Sequence, residues 1–132
     1  MGLLYADGTN SKRDHTIKLG LKYTDVDILH RIAHEVKSDR PLVYHPEKSN
    51  NYNGRQINSS PQYVLRLSSK HMSDRLIEIG MVSCKSLVLE FPTEIPEPLL
   101  PHFIRGYFDG DGCVRAQLNT NGTICNHHVH IL

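Results

Sequence analysis

Three scarcities narrow what this chain can be. Its cysteines, Cys84, Cys113 and Cys125, are odd in number and form no Cys-x-x-Cys pair, which argues against both a disulfide framework and a structural zinc site. They read as reduced thiols, with Cys84 and Cys113 as packing residues. No apolar run approaches the roughly 20 residues that span a bilayer, and the N-terminus lacks a basic region followed by an apolar segment. The expectation is therefore an intracellular protein, cytoplasmic or nucleoid-associated, with no signal peptide and no membrane partner. Charge of one sign is scarce too: the net charge is +1, far from the strong basicity common in nucleic-acid-binding domains.

What is present is unevenly distributed. Between residues 9 and 22, Lys12, Arg13, Lys18 and Lys22 face the single acid Asp14; between 40 and 70, Arg40, Lys48, Arg55, Arg66 and Lys70 face only Glu47. Most acids lie in expected helices, so the strands and loops are the basic part of the molecule. The length, 132 residues, and the 39% hydrophobic fraction suit one soluble domain with a real core.

The most informative pattern occurs twice. Gly2-Leu3-Leu4-Tyr5-Ala6-Asp7-Gly8 opens the chain, and Gly106-Tyr107-Phe108-Asp109-Gly110-Asp111-Gly112 repeats its form near the end. In each copy small residues recur four apart, Gly2 with Ala6 and Gly106 with Gly110, which puts them on one helix face and permits close backbone approach. Each helix then ends on an acid, Asp7 or Asp111, followed by a glycine suited to a left-handed cap. An acid at a helix C-terminus opposes the dipole, so a positive group should compensate it. If the helices pair in parallel, the two carboxylates meet and invite a divalent metal with oxygen ligands.

Between the copies, residues 9–12 and 15–22 read as a hairpin turning near Arg13 and Asp14, with Ile17, Leu19 and Leu21 alternating against Lys18 and Lys22. Thr24 with Asp27 resembles an N-terminal capping arrangement for an amphipathic helix over 25–36. A short strand over 42–45 precedes residues 46–60, whose Asn, Ser and Gly content reads as a long exposed loop. A strand follows over 62–68, then a helix capped by Ser69 that carries Met72, Leu76 and Ile79 toward the core and ends at Gly80. Residues 87–91 read as extended, and the prolines at 92, 96, 98 and 101 mark entry to the second motif helix. Beyond it come a strand over 113–118, a turn over 119–122 and part of another strand.

Both copies resemble the signature of the LAGLIDADG homing endonuclease family, most specifically Phe103-Ile104-Arg105-Gly106-Tyr107-Phe108-Asp109-Gly110-Asp111-Gly112. Leu65-Arg66-Leu67-Ser68-Ser69-Lys70 and Lys85-Ser86-Leu87-Val88-Leu89 also resemble the family, so the likeness runs through most of residues 2–114. It implies an α+β fold, the αββαββα unit whose antiparallel sheet forms a saddle along the DNA major groove. The first unit would occupy 1–97, and 98–132 would begin a second, truncated unit; the first helix is short as well. The resemblance implies that Asp7 and Asp111 bind a catalytic Mg2+ or Mn2+, that Lys85 assists near the active site, and that Tyr5 and Asp109 inherit no catalytic role. It implies site-specific double-stranded DNA cleavage by metal-dependent phosphodiester hydrolysis, in the service of intron or intein mobility. Lys12, Lys18, Lys22, Gln62, Arg66, Arg115 and Gln117 would face the duplex, since Arg and Lys suit guanine and phosphate and Gln suits adenine.

Other readings stay open. The same scaffold could serve as a non-catalytic DNA- or RNA-binding domain, such as a transcription regulator or an intron maturase, or persist as an inert remnant; two chains could also associate as a homodimer to complete the saddle. Asp7 and Asp111 together favour the enzyme, because a pure binder has no use for two acids beside phosphate. His127, His128 and His130 lack matching ligands at metal-binding spacing, and His30 with His34 read as a solvated helix face.

Overall fold

The computed structural model describes residues 1–82 and 90–131; the extended reading over 87–91 and the position of Lys85 fall largely or wholly outside them. Among the described residues, four helices and eight strands make a mixed α+β fold whose sheets are antiparallel. None of the described helices is long and apolar enough to cross a membrane. By its internal contacts the chain divides into two compact units, Gly8–Phe91 on one hand and Met1–Asp7 with Pro92–Leu132 on the other.

The central unit is built on a four-stranded sheet. β1 (Gly8–Ser11) and β2 (Thr16–Lys22) form the hairpin expected from the alternating sequence, and β6 (Gln62–Ser68) and β3 (Val43–His45) complete the order β1-β2-β6-β3. Alternation sorts most of the residues as anticipated: Ile17, Leu19 and Leu65 are buried, while Lys18, Lys22, Gln62 and Arg66 are exposed; Val64, on the side of Gln62 and Arg66, departs from it and is buried opposite Gly20, and Leu21, Tyr63 and Leu67 are half-buried. Helices α2 (Val26–Glu35) and α3 (Lys70–Glu78) pack on the sheet and bury Leu29, Ala33, Ser73 and Leu76. Met81 is fully buried, whereas Met72, expected in the core, is only half-buried.

A buried polar link ties β1 to α3. The Asn10 amide donates to the carbonyls of Ser73 at 3.0 Å and Met81 at 3.2 Å, and the Ser73 hydroxyl donates to the Asn10 side-chain oxygen at 2.8 Å. Such groups are tolerable in a core only because each finds its partner. Ser69 caps α3 as expected, accepting from the Met72 N–H at 3.2 Å, and Gly80 follows the helix at φ +93°.

Two local expectations fail in this unit. Thr24 does not cap α2; its hydroxyl bonds the Asp25 carboxylate instead, and the single 3-10 turn Tyr23–Asp25 leads into the helix without a side-chain cap. Residues 46–60 are not a loop but a hairpin, β4 (Lys48–Tyr52) against β5 (Arg55–Ser59). Its two-residue turn places Asn53 at φ 50° and Gly54 at φ 77°, the positive pair that an Asn-Gly turn supplies cheaply and that matches strand twist.

The other unit pairs α1 (Gly2–Asp7) with α4 (Leu100–Asp111) and adds the hairpin β7 (Gly112–Leu118) and β8 (Ile124–Ile131). Pro98 and Pro101 sit at the entry to α4, where a missing N–H costs nothing. Two buried aromatic residues meet in it, Tyr5 against Phe103 edge to face at 5.1 Å, and Phe103 lies 6.2 Å from the half-buried Tyr107.

Candidate functional site: a pair of acids at the ends of two parallel helices

The helix pairing is decided by what its residues lack. A side chain at Gly2 would overlap the Phe103 carbonyl, one at Gly110 would overlap the Ala6 methyl, and the Cβ position of Gly106 lies 3.1 Å from the Leu3 nitrogen and 3.4 Å from the Gly2 Cα. The backbones of α1 and α4 therefore touch, as the four-residue spacing of small residues predicts. The contacts advance together, Gly2 beside Gly106 and Ala6 beside Gly110, so the helices run parallel.

Asp7 and Asp111 each follow the second contact by one residue and so lie at the same end of the pair. A carboxylate oxygen of Asp7 lies 3.0 Å from where a Gly110 Cβ would stand, which puts the Asp7 side chain against α4 at the residue before Asp111. Asp7 is exposed and Asp111 half-buried. Neither helix carries a base in its last turn, and two acids lie at the negative ends of two helix dipoles.

The neighbouring Asp109 and Tyr5 are otherwise engaged. Asp109 points to Arg105 of its own helix at 3.8 Å, and Tyr5 is 1% exposed, with burial pushing its phenol above the ordinary value. The glycines that follow the motif acids correct one expectation. Gly112 is extended, at φ −74° and ψ 143°, and Gly8 is not among the positive-φ residues, so each helix passes straight into a strand without a left-handed cap. The requirement for glycine at 112 is steric: any Cβ there would run into the carbonyl and ring of Phe108.

Hard oxygen donors fit a small divalent cation. Among the described residues no three His, Cys, Asp or Glu side chains gather around one point, so the protein could contribute two carboxylates and leave the remaining positions to water and phosphate. That division of ligands is the usual one for magnesium.

The expected duplex-facing residues fall in both units. In the central unit the register sets Lys18 opposite Arg66 and Lys22 opposite Gln62 on the exposed face of β2 and β6, with Lys12 exposed in the preceding turn. Lys22 and Arg66 enter no ion pair among the described residues, while Arg13 is held by Asp14 at 3.0 Å and Lys70 by Asp74 at 2.6 Å. Those partners hold both carboxyls below the ordinary aspartate value, chiefly through the hydrogen bond from Arg13 to Asp14 and from Lys70 to Asp74. In the other unit Arg115 pairs with His128 and Gln117 with Asn126 across β7 and β8, and a Gln117 side-chain oxygen lies 3.4 Å from a His128 ring nitrogen. His30 and His34 are exposed, as expected of a solvated face.

Sequence reasoning missed the hairpin of β4 and β5, which carries polar side chains on both faces. The signal was present in Asn53-Gly54, flanked by residues that can pair, but its lack of apolar alternation hid the strands. The chain matches no family model, and no curated protein compared with it matches.

Proposed function

We propose that this chain is a site-specific, metal-dependent DNA endonuclease of the LAGLIDADG type, built on that family's αββαββα unit. The observation that carries the proposal is the parallel, backbone-tight pairing of α1 and α4, which brings Asp7 and Asp111 to one end. Two helices taken from opposite ends of a chain need no such arrangement for stability alone. Two acids at the C-termini of paired helices oppose both helix dipoles, and a bound cation would relieve that opposition.

In this reading Asp7 and Asp111 are the protein ligands of a Mg2+ or Mn2+ ion. When bound, the cation supplies charge neutralisation at the scissile phosphate and a water of lowered pKa. Asp7, the more exposed of the two, would hold the ion from the solvent side, and the half-buried Asp111 would fix the position of the ligand set. Lys85 is assigned to stabilising the charge that develops on the phosphate as its ester bond breaks. Lys12, Lys18, Lys22 and Arg66 draw in the phosphate backbone, and Gln62, Arg115 and Gln117 present donors and acceptors to base edges.

The test is nicking of supercoiled plasmid libraries in magnesium by the wild-type chain, Asp7→Asn and Asp111→Asn, each checked for the same fold. Cleavage by the wild type that disappears in both variants supports the reading. Duplex binding without cleavage by the wild type would replace it with a non-catalytic nucleic-acid-binding domain, either a regulator or a maturase.

A further inference from the structure

Helix α2 holds two imidazoles at a fixed separation. It spans Val26–Glu35, and Leu29 and Ala33, four residues apart, are buried and so fix its rotation. His30 and His34 each follow one of those residues by one position, which turns both about 100° away from the packed face, and both are exposed. Being four apart themselves, they place their Cβ atoms about 5–6 Å from each other along one side of the helix.

The backbone beneath them is complete. The last turn is closed by three hydrogen bonds, from the Val36 N–H to the Ile32 carbonyl at 3.0 Å, from the Lys37 N–H to the His34 carbonyl at 3.0 Å and from the Ser38 N–H to the Ala33 carbonyl at 2.8 Å. Lys37 takes a φ of 53° to make this closure. Position 34 is therefore held as firmly as position 30. Among the described residues neither ring enters a hydrogen bond or an ion pair; the rings that do are those of His15, 4.0 Å from Asp74, and His128, 3.4 Å from Gln117.

The local field favours a cation. His34 lies in the last turn, where the carbonyl end of the helix dipole attracts positive charge. Asp27, three residues before His30, adds a negative charge on that side and Arg31, three before His34, a positive one, so the dipole decides the sign.

We infer that His30 and His34 form a bidentate site for a borderline transition cation, Zn2+ above all, that clamps two successive turns of α2. Histidines four apart on a helix are the pair that zinc proteases take from a single helix, and at a zinc–nitrogen distance of about 2.0–2.1 Å both rings reach one ion with no change of backbone. Among the described residues no third His, Cys, Asp or Glu joins them, so water fills the other positions. Arg31 follows His30 where a zinc protease has its glutamate base, so the ion supplies a cross-link and no hydrolysis. Nitrogen donors also separate this site from Asp7 and Asp111, whose oxygens suit magnesium. The inference does not depend on the endonuclease reading, because neither histidine belongs to the acid pair or to the residues assigned to the duplex.

The experiment is a Zn2+ titration of the full chain in excess Mg2+, which fills oxygen sites first, with the imidazole Cε1–H resonances read by nuclear magnetic resonance. The wild type is compared with His30→Gln, with His34→Gln, and with a double variant, His34→Glu and Glu35→His, that alters only the spacing. Glutamine and glutamate are good helix formers at exposed positions, so far-ultraviolet circular dichroism should be unchanged. In the wild type the rings of His30 and His34 are expected to shift together along one binding curve, and hydrogen exchange of the α2 amides should slow as zinc is added. Each single substitution should weaken zinc at the remaining ring by about tenfold or more, because the second donor no longer acts at high effective concentration. The double variant keeps two histidines but sets them five apart, off a common side, and should lose the joint curve and the slowed exchange. Rings that respond with separate affinities, a remaining ring that binds as tightly after its partner is replaced, or zinc shifts confined to His127, His128 and His130 would each overturn the clamp.

Discussion

The two units are stabilised by opposite devices. The central one fills space: Ile17, Leu19, Leu29, Leu65 and Met81 are each at most 1% exposed, and one polar link through Asn10 and Ser73 is fully satisfied. The helix pair of the other unit excludes side chains, with Gly2, Gly106, Ala6 and Gly110 letting two backbones meet. The first device tolerates exchange of one apolar residue for another of similar volume. The second tolerates almost nothing larger than hydrogen, and it is the one that holds Asp7 beside Asp111. Close packing without side chains fixes the separation of two functional groups more tightly than an interdigitated core, whose rotamers can relax.

This contrast can be broken from either side. Removing volume from the central unit should have the largest effect on stability: Leu19→Ala is expected to cost about 2–5 kcal/mol, read as a lower urea midpoint. Adding volume to the other should do the equivalent there. Gly110→Ala places a methyl on that of Ala6, and an overpacking penalty of about 1–3 kcal/mol should undock α1 and abolish nicking although both acids remain. If Gly110→Ala nicks plasmid as the wild type does, the tight pairing is not what positions the acids.

Smaller effects sharpen the picture. Asn10→Leu leaves the carbonyls of Ser73 and Met81 without their donor, at a cost of about 1–3 kcal/mol measured by chemical denaturation. Gly54→Val opposes the φ of 77° required by the turn and should raise hydrogen exchange across the β4–β5 ribbon with little change in the global midpoint. The smallest effect concerns acid. Because Lys70 holds Asp74 below the ordinary value of 3.8, the pair stabilises the fold above that pH and its contribution disappears as pH falls through the depressed value. The stability difference between wild type and Asp74→Asn should therefore be constant from pH 7 to pH 5 and vanish on further acidification. Asp74 is solvated, so this difference is small at every pH.

The parts that could be read from sequence share one property: each is decided by residues close together in the chain. Alternation in 16–22 and 62–68 sets which side chains face inward, Ser69 caps its own helix, and the repeated four-residue spacing of small residues declares a helix face built for close approach. Where local reading failed, a local competitor had won. Thr24 bonded its neighbour Asp25 in place of a backbone amide, Gly112 made room for Phe108 in place of adopting a left-handed cap, and the polar ribbon of 48–59 offered no apolar period to detect.

The amino-acid sequence by itself determined the strands of the four-stranded sheet and the two helices packed on it, the two motif helices and the identity of the two acids. Tertiary structure alone decided that α1 and α4 run parallel, that β6 enters between β2 and β3, and that Asn10 reaches residues 63 and 71 positions away. The physical reason is distance along the chain. A periodicity or a cap is settled by steric and hydrogen-bonding choices within a few residues, whereas bringing the two ends of the chain into contact depends on which long-range packing repays the entropy of closing the loop between them.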